Sequence, residues 1–77
     1  MNQTFTAVYS KNENIVVDIS IRLDHDKISK INDFINLISD EYEINEEGGI
    51  LTILIYLDPI RSEESSSIIN SFYGFIE

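Results

Sequence analysis

The sequence predicts a small α+β domain in which a three-stranded sheet packs against two amphipathic helices in the order ββαβα. Three observations lead to this fold class. Apolar and polar residues alternate in two segments near the N-terminus, apolar residues recur at helical spacing in two later segments, and a segment between those two is apolar at almost every position. Because 77 residues suffice for one domain and not for two, we assign residues 1–77 to a single domain.

The first two strands are predicted at residues 4–10 and 15–23. In the second, Ile and Val alternate with Asp18, Ser20 and Arg22, which gives the hairpin a dry face and a wet face. Between the strands, asparagines at positions 12 and 14 tolerate positive φ angles and indicate a polar hairpin turn.

The first helix is predicted directly after this hairpin. Asp24 or Asp26 supplies an N-cap, and Gly48 and Gly49 prevent the helix from continuing further. Its apolar stripe is formed by Ile28, Ile31, Ile35, Ile38 and Tyr42, widened by Phe34 and Leu37.

The third strand is predicted at residues 50–57 and ends at Pro59. A second helix follows, with Ser62 as the candidate N-cap and Glu63 and Glu64 in its first turn. Its run of serines makes it a weak helix that needs packing to persist. No internal repeat is evident in the sequence.

The third strand needs cover on two faces. As the crossover strand of this sheet it would lie at an edge, with its Leu51 face against the first helix. Its other face carries Ile50, Leu54 and Tyr56, and leaving these exposed would forgo about 1.5–3 kcal/mol each. The second helix could cover them, or it could lie beside the first helix while another chain covers the strand. The wet residues of the second strand favour another chain, so we expect a homodimer through this edge strand.

The net charge of −9 is concentrated in the middle of the chain, because residues 31–60 contain seven carboxylates and no Lys, Arg or His. This charge disfavours direct binding to nucleic acid or to an anionic membrane, and it favours a basic protein surface as partner. Solubility alone is the other interpretation. Since the N-terminus lacks the pattern of a secretory signal and the longest apolar run is too short to span a membrane, we expect a cytoplasmic protein.

No group of residues has the pattern of a catalytic, cofactor or metal site. Asp24, His25 and Asp26 are adjacent, so their side chains diverge, and the chain has no second His and no Cys. The Gly48–Gly49 pair lacks the lysine of a phosphate-binding loop, and the serines have no recognisable base. We therefore expect no enzymatic activity, no cofactor and no metal.

One acidic pattern suggests a function. If the first helix reaches Glu47, then Asp33, Asp40, Glu43 and Glu47 form an outward stripe that could imitate a row of phosphates, although a solvated helix face is the simpler interpretation. We expect a small acidic antagonist of a nucleic-acid-handling protein, of the phage anti-defence (anti-CRISPR) or nuclease-immunity type. A non-catalytic homodimerising scaffold or regulatory subunit is the alternative. The candidate partner-binding residues are Asp33, Asp40, Glu41, Glu43, Glu46 and Glu47 for charge, and Ile50, Leu54 and Tyr56 as apolar anchors.

Overall fold

A four-stranded antiparallel sheet carries two helices on one of its faces in the computed structural model, which describes residues 4–76. Residues 1–3 and residue 77 lie outside the described residues. The elements in chain order are β1 (Thr4–Lys11), β2 (Asn14–Arg22), α1 (His25–Leu37), β3 (Glu41–Glu47), β4 (Ile50–Leu57), a 3-10 turn (Pro59–Arg61) and α2 (Glu64–Ile76).

The predicted α+β class with two helices is confirmed, whereas the three-stranded ββαβα order is wrong. Helix α1 ends at Leu37, because Ile38 already has extended backbone angles, and residues 41–47 form an additional strand, β3. In this strand Tyr42 and Ile44 alternate with Glu and Asn, which is the period of a strand rather than that of a helix. The order is therefore ββαββα.

Strand β4 lies in the interior of the sheet, whose order is β1-β2-β4-β3. It pairs antiparallel with β2 on one side and with β3 on the other. The prediction that residues 50–57 form an edge strand is therefore wrong, and so is a dimer through that edge, because β3 already occupies it. The edges of the sheet are β1 and β3.

Both hairpins close through two-residue turns with positive φ angles. In the first turn the φ angles are 49° at Asn12 and 68° at Glu13, and in the second they are 60° at Gly48 and 80° at Gly49. Two consecutive left-handed residues are the signature of a type I′ turn, whose twist matches that of the flanking strands. Asn12 behaves as predicted, while Glu13 rather than Asn14 takes the second position.

The core lies between the sheet and the two helices. Helix α1 contributes Ile31 and Phe34, and α2 contributes Phe72 and Ile76. The rings of Phe34 and Phe72 meet edge to face with centroids 5.1 Å apart, and Lys27 Nζ donates a hydrogen bond to the Ile76 carbonyl at 2.5 Å. The sheet contributes a row of buried apolar residues: Val17, Ile19, Ile21, Leu51, Ile53, Ile55 and Leu57. The helices thus lie side by side on one face, as in the second of the two predicted arrangements.

Helix α1 starts where the sequence predicts, whereas α2 starts later than predicted. Asp24 occupies the N-cap of α1, although its side chain makes no capping hydrogen bond. Before α2 the chain forms the 3-10 turn, in which the Asp58 side chain accepts from the Ile60 amide at 3.3 Å. Helix α2 therefore begins at Glu64, later than a Ser62 N-cap implies, and Ser65 Oγ donates to the Ser62 carbonyl at 2.7 Å.

The molecule contains a structural repeat of the unit ββα, although the sequence shows none. Val8 pairs with Val17, and Ile44 pairs with Ile53, so both members of the pair advance by 36 positions, from 8 to 44 and from 17 to 53. The same shift of 36 positions exchanges the β2–β4 pairs with one another, for example Ile15–Leu57 with Leu51–Ile21. The two hairpins are therefore related by an approximate two-fold axis between β2 and β4.

Between residues 4 and 76, neither helix has the length and apolar character that crossing a membrane requires.

Candidate functional site

The face of the sheet opposite the helices, here called the open face, is not covered by any element of residues 4–76. In an antiparallel sheet, directly paired residues point to the same side, so the register shows which side chains share this face. Ile50, Leu54 and Tyr56 of β4 lie on it together with Phe5 and Tyr9 of β1. Phe5 is 75% exposed and Ile50 is 40% exposed, while Leu54 and Tyr56 are half-buried. The predicted apolar anchors are therefore uncovered.

Strand β3 places glutamates directly beside these apolar residues. The cross-strand pairs are Glu41 with Tyr56, Glu43 with Leu54, and Glu47 with Ile50. Every residue of β3 is exposed. These six residues, here called the acidic patch, lie on the same face of two adjacent strands, and the polar pair Asn45–Thr52 separates Ile50 and Glu47 from the other four.

Three of the nine predicted partner-binding residues lie elsewhere, and the predicted helical stripe of acids is wrong. Asp33 is exposed on α1, and Asp40 lies in the loop between α1 and β3. Glu46 pairs with Leu51, so it points to the helix side of the sheet. The stripe does not form because α1 ends at Leu37, before three of its four acids.

Asp40 is not available as a free charge because it is paired with Arg61. The Arg61 guanidinium donates to both carboxylate oxygens of Asp40, and at 2.7 and 2.8 Å to those of Glu64. The hydrogen bonds from Arg61 lower the pKa of Glu64, and those to Glu64 and Asp40 raise the pKa of Arg61. This cluster joins the α1–β3 loop to the start of α2.

Two tyrosines give the open face a small apolar centre. Val16 lies between Tyr9 and Tyr56 in the register, and it is only 1% exposed although it faces away from the helices. Partial burial and the neighbouring Asp18 carboxylate raise the pKa of Tyr9, and partial burial and Glu43 raise that of Tyr56. Both hydroxyls therefore give up their protons less readily than a free tyrosine does.

Phe5, Tyr9 and Val16 are open-face residues that the sequence prediction did not include. A signal for them exists in the sequence, because a two-residue turn at positions 12 and 13 pairs Lys11 with Asn14. That register places the odd-numbered residues of β1 beside the even-numbered residues of β2, which are the wet ones. The aromatic side of β1 therefore points away from the helices.

The remaining surfaces offer little for chemistry. An open groove of about 250 Å³ lies between the helices near Arg61, but this cation is already bound to two carboxylates. Its lining contains the hydroxyls of Ser39, Ser67 and Ser71, and both of its carboxylates, Asp40 and Glu64, accept hydrogen bonds from Arg61. Among residues 4–76 no three His, Cys, Asp or Glu side chains are grouped as metal ligands.

Comparison with protein families, with characterised proteins and with solved structures finds no match to this chain.

Proposed function

We propose that this protein is a non-catalytic binding module of the cytoplasm, and that its acidic patch occupies a basic surface of a nucleic-acid-handling protein and so inhibits it. One observation carries the proposal. The β3–β4 register sets Glu41, Glu43 and Glu47 beside uncovered Tyr56, Leu54 and Ile50.

The composition of the patch suits protein recognition. An interface typically has an apolar centre that excludes water and a polar rim that sets orientation and partner choice. Here Leu54 and Tyr56 supply the apolar area, and the glutamates supply a rim of one sign. Carboxylates that serve solubility alone need no apolar neighbours, so the combination favours a contact surface.

The geometry of β3 also suits a row of cations. Alternate residues of a strand are about 6.8 Å apart and point to the same side, so Glu41 and Glu43 present charges at a fixed spacing. Among residues 4–76 no ion pair engages these glutamates, and the cation nearest to them in the register is Arg22, which pairs with Ile50. Proteins that handle nucleic acid carry such rows of Lys and Arg to neutralise phosphates. Carboxylates bound there would exclude the nucleic acid.

The test compares two variants of equal net charge. The partner is first captured from the host cell, identified and purified. The dissociation constant of its complex with each variant is then measured by calorimetry at low and high salt. The patch variant carries Glu41→Gln, Glu43→Gln and Glu47→Gln; the control carries Asp26→Asn, Asp33→Asn and Glu63→Gln at exposed positions outside the patch.

We expect the patch variant to bind about tenfold or more weakly and the control to bind nearly as well as the wild type, because nearby charges dominate at physiological salt. Binding should weaken as salt rises, and the protein should displace nucleic acid from the partner. Equal loss in both variants, or a partner that still holds its nucleic acid, would contradict the proposal.

A further inference from the structure

The two edges of the sheet are equivalent in position and opposite in chemistry. The 36-residue shift of the structural repeat places Phe5 of β1 where Glu41 stands in β3, and Ala7 where Glu43 stands. Glutamates on an edge strand prevent another strand from pairing with it. Strand β1 has no carboxylate, and its one charge is Lys11 at the turn end, because residues 4–10 carry none.

The outer edge of β1 has free backbone groups in a known pattern. The two-residue turn at Asn12 is closed by hydrogen bonds between Lys11 and Asn14, and hydrogen-bonded pairs alternate along an antiparallel ladder. The odd-numbered residues of β1 therefore bond to β2. The N–H and C=O groups of the even-numbered residues point outward: Thr4, Thr6, Val8 and Ser10.

We propose that β1 pairs with β1 of a second copy of this chain, antiparallel about a two-fold axis at Ala7, so that two four-stranded sheets become one of eight strands. In this register the even-numbered residues exchange backbone hydrogen bonds, with Thr6 opposite Val8 of the second copy. Phe5 stands opposite Tyr9 of the second copy.

The register follows from the side chains of the open face. Several registers keep odd-numbered residues on one side, and those that pair most of the uncharged residues 4–10 are centred on Thr6, Ala7 or Val8. Centring on Thr6 or Val8 sets Phe5 against Ala7 or Lys11. Centring on Ala7 sets Phe5 of each copy against Tyr9 of the other, which gives two aromatic pairs. Neither pair exchanges backbone hydrogen bonds, and side chains approach most closely in pairs of this kind. This covers Phe5, which is 75% exposed in one subunit.

The charge distribution favours a second copy on this edge. Strand β3 is three strand positions from β1, about 14 Å at the spacing of neighbouring strands, which exceeds the Debye length of about 8 Å at physiological salt. Pairing through β1 keeps the glutamates of both copies at the two ends of the joined sheet. Pairing through β3 would set them against each other. The dimer would thus present two acidic patches, one at each end.

Sedimentation at micromolar concentration tests the pairing with a matched proline pair. Val8→Pro removes an outward N–H and leaves the β2 ladder intact, since proline is tolerated where an edge N–H faces solvent. Ile44→Pro makes the same change at the equivalent position of β3. We expect the wild type and Ile44→Pro to be dimers and Val8→Pro to be a monomer, with circular dichroism showing that both variants are folded.

Cysteine cross-linking tests the register, because the chain has no natural cysteine. At the two-fold axis the Ala7 positions of the two copies would have Cα atoms about 4.5 Å apart, within the range of a disulfide. Ala7→Cys should therefore give a covalent dimer on mild oxidation, and Glu43→Cys, its equivalent in β3, should not. Cross-linking of Ala7→Cys supports the proposal even if Val8→Pro fails to fold.

A monomeric wild type, a dimer that survives Val8→Pro, or equal cross-linking at positions 7 and 43 would each overturn the proposal. A wild type that stays monomeric until a foreign extended peptide is added would assign the edge to a different partner and would overturn it as well.

Discussion

Tyr9 and Tyr56 flank Val16 on the open face. The Tyr9 hydroxyl lies beside the Asp18 carboxylate, and the Tyr56 hydroxyl lies beside the Glu43 carboxylate. Ionising either tyrosine would put a second negative charge next to a carboxylate on a surface already rich in them. The neutral rings shield the one valine on this face that is buried.

The two tyrosines predict how stability changes at high pH. In the folded protein the pKa of each tyrosine is raised above 10.0. The stability that the two neutral hydroxyls contribute is therefore fully present below about pH 10, and it is lost as the pH rises through the pKa values of the folded state. We expect the free energy of unfolding in urea to fall above about pH 10, and to fall less in a Tyr9→Phe, Tyr56→Phe variant. Identical pH dependence in the variant and the wild type would show that these hydroxyls are not responsible.

At the residue scale the sequence could predict the candidate residues but not the use of each one. Six of the nine, those of the acidic patch, are brought together, because they flank a tight turn and so face each other across two strands. Asp40 was beyond prediction, since its partner Arg61 is 21 positions away and meets it only once α2 has packed. A carboxylate with such a partner cannot be distinguished from a free one in the sequence.

At the element scale, the segment from Asp40 to Gly49 is where prediction failed. Tyr42 extends the helical spacing of Ile35 and Ile38 by chance, which made a longer helix look consistent. The competing signal was the Gly-Gly pair, which closes a two-residue hairpin as readily as it ends a helix. Because β3 carries only two apolar residues, the alternation of apolar and polar residues in it is weak. Its strand structure depends on the backbone hydrogen bonds that it makes with β4.

The hairpin turn gives a prediction with a built-in control. Gly49 has a φ of +80°, where a side chain is strained, so Gly49→Ala should destabilise the fold by about 1–2 kcal/mol. Gly74 lies within α2, and a Cβ added there would meet no other atom. Gly74→Ala should therefore stabilise the fold by about 0.5–1 kcal/mol. Urea unfolding measures both. A Gly49→Ala variant as stable as the wild type would contradict a type I′ turn at this position.

On the scale of the whole molecule, the sheet has one face that the helices cover and one that stays open. All of the helical cover lies over the Ile53 face, so the apolar side chains opposite it stay open. The sequence could predict that strand 50–57 needs cover on two sides, since both of its faces are apolar. It could not predict that the need lies on a face rather than at an edge, because that depends on β3.

The structural repeat gives each edge of the sheet its own chemistry. The same backbone position carries Ala7 on one edge and Glu43 on the other, so one edge admits a strand and the other repels it. We therefore place self-association on β1 and the basic partner on the acidic patch. The two proposed contacts would not compete, because β1 and β3 are the opposite edges of the sheet.

Nuclear magnetic resonance of the isotope-labelled protein, titrated with its purified basic partner, shows directly which surface makes the contact. We expect the largest shift changes at the amides of Glu41, Glu43, Leu54 and Tyr56, and little change in α1 and α2. Shift changes confined to the helices or to the groove beside Arg61 would contradict the assignment of the contact surface to the acidic patch.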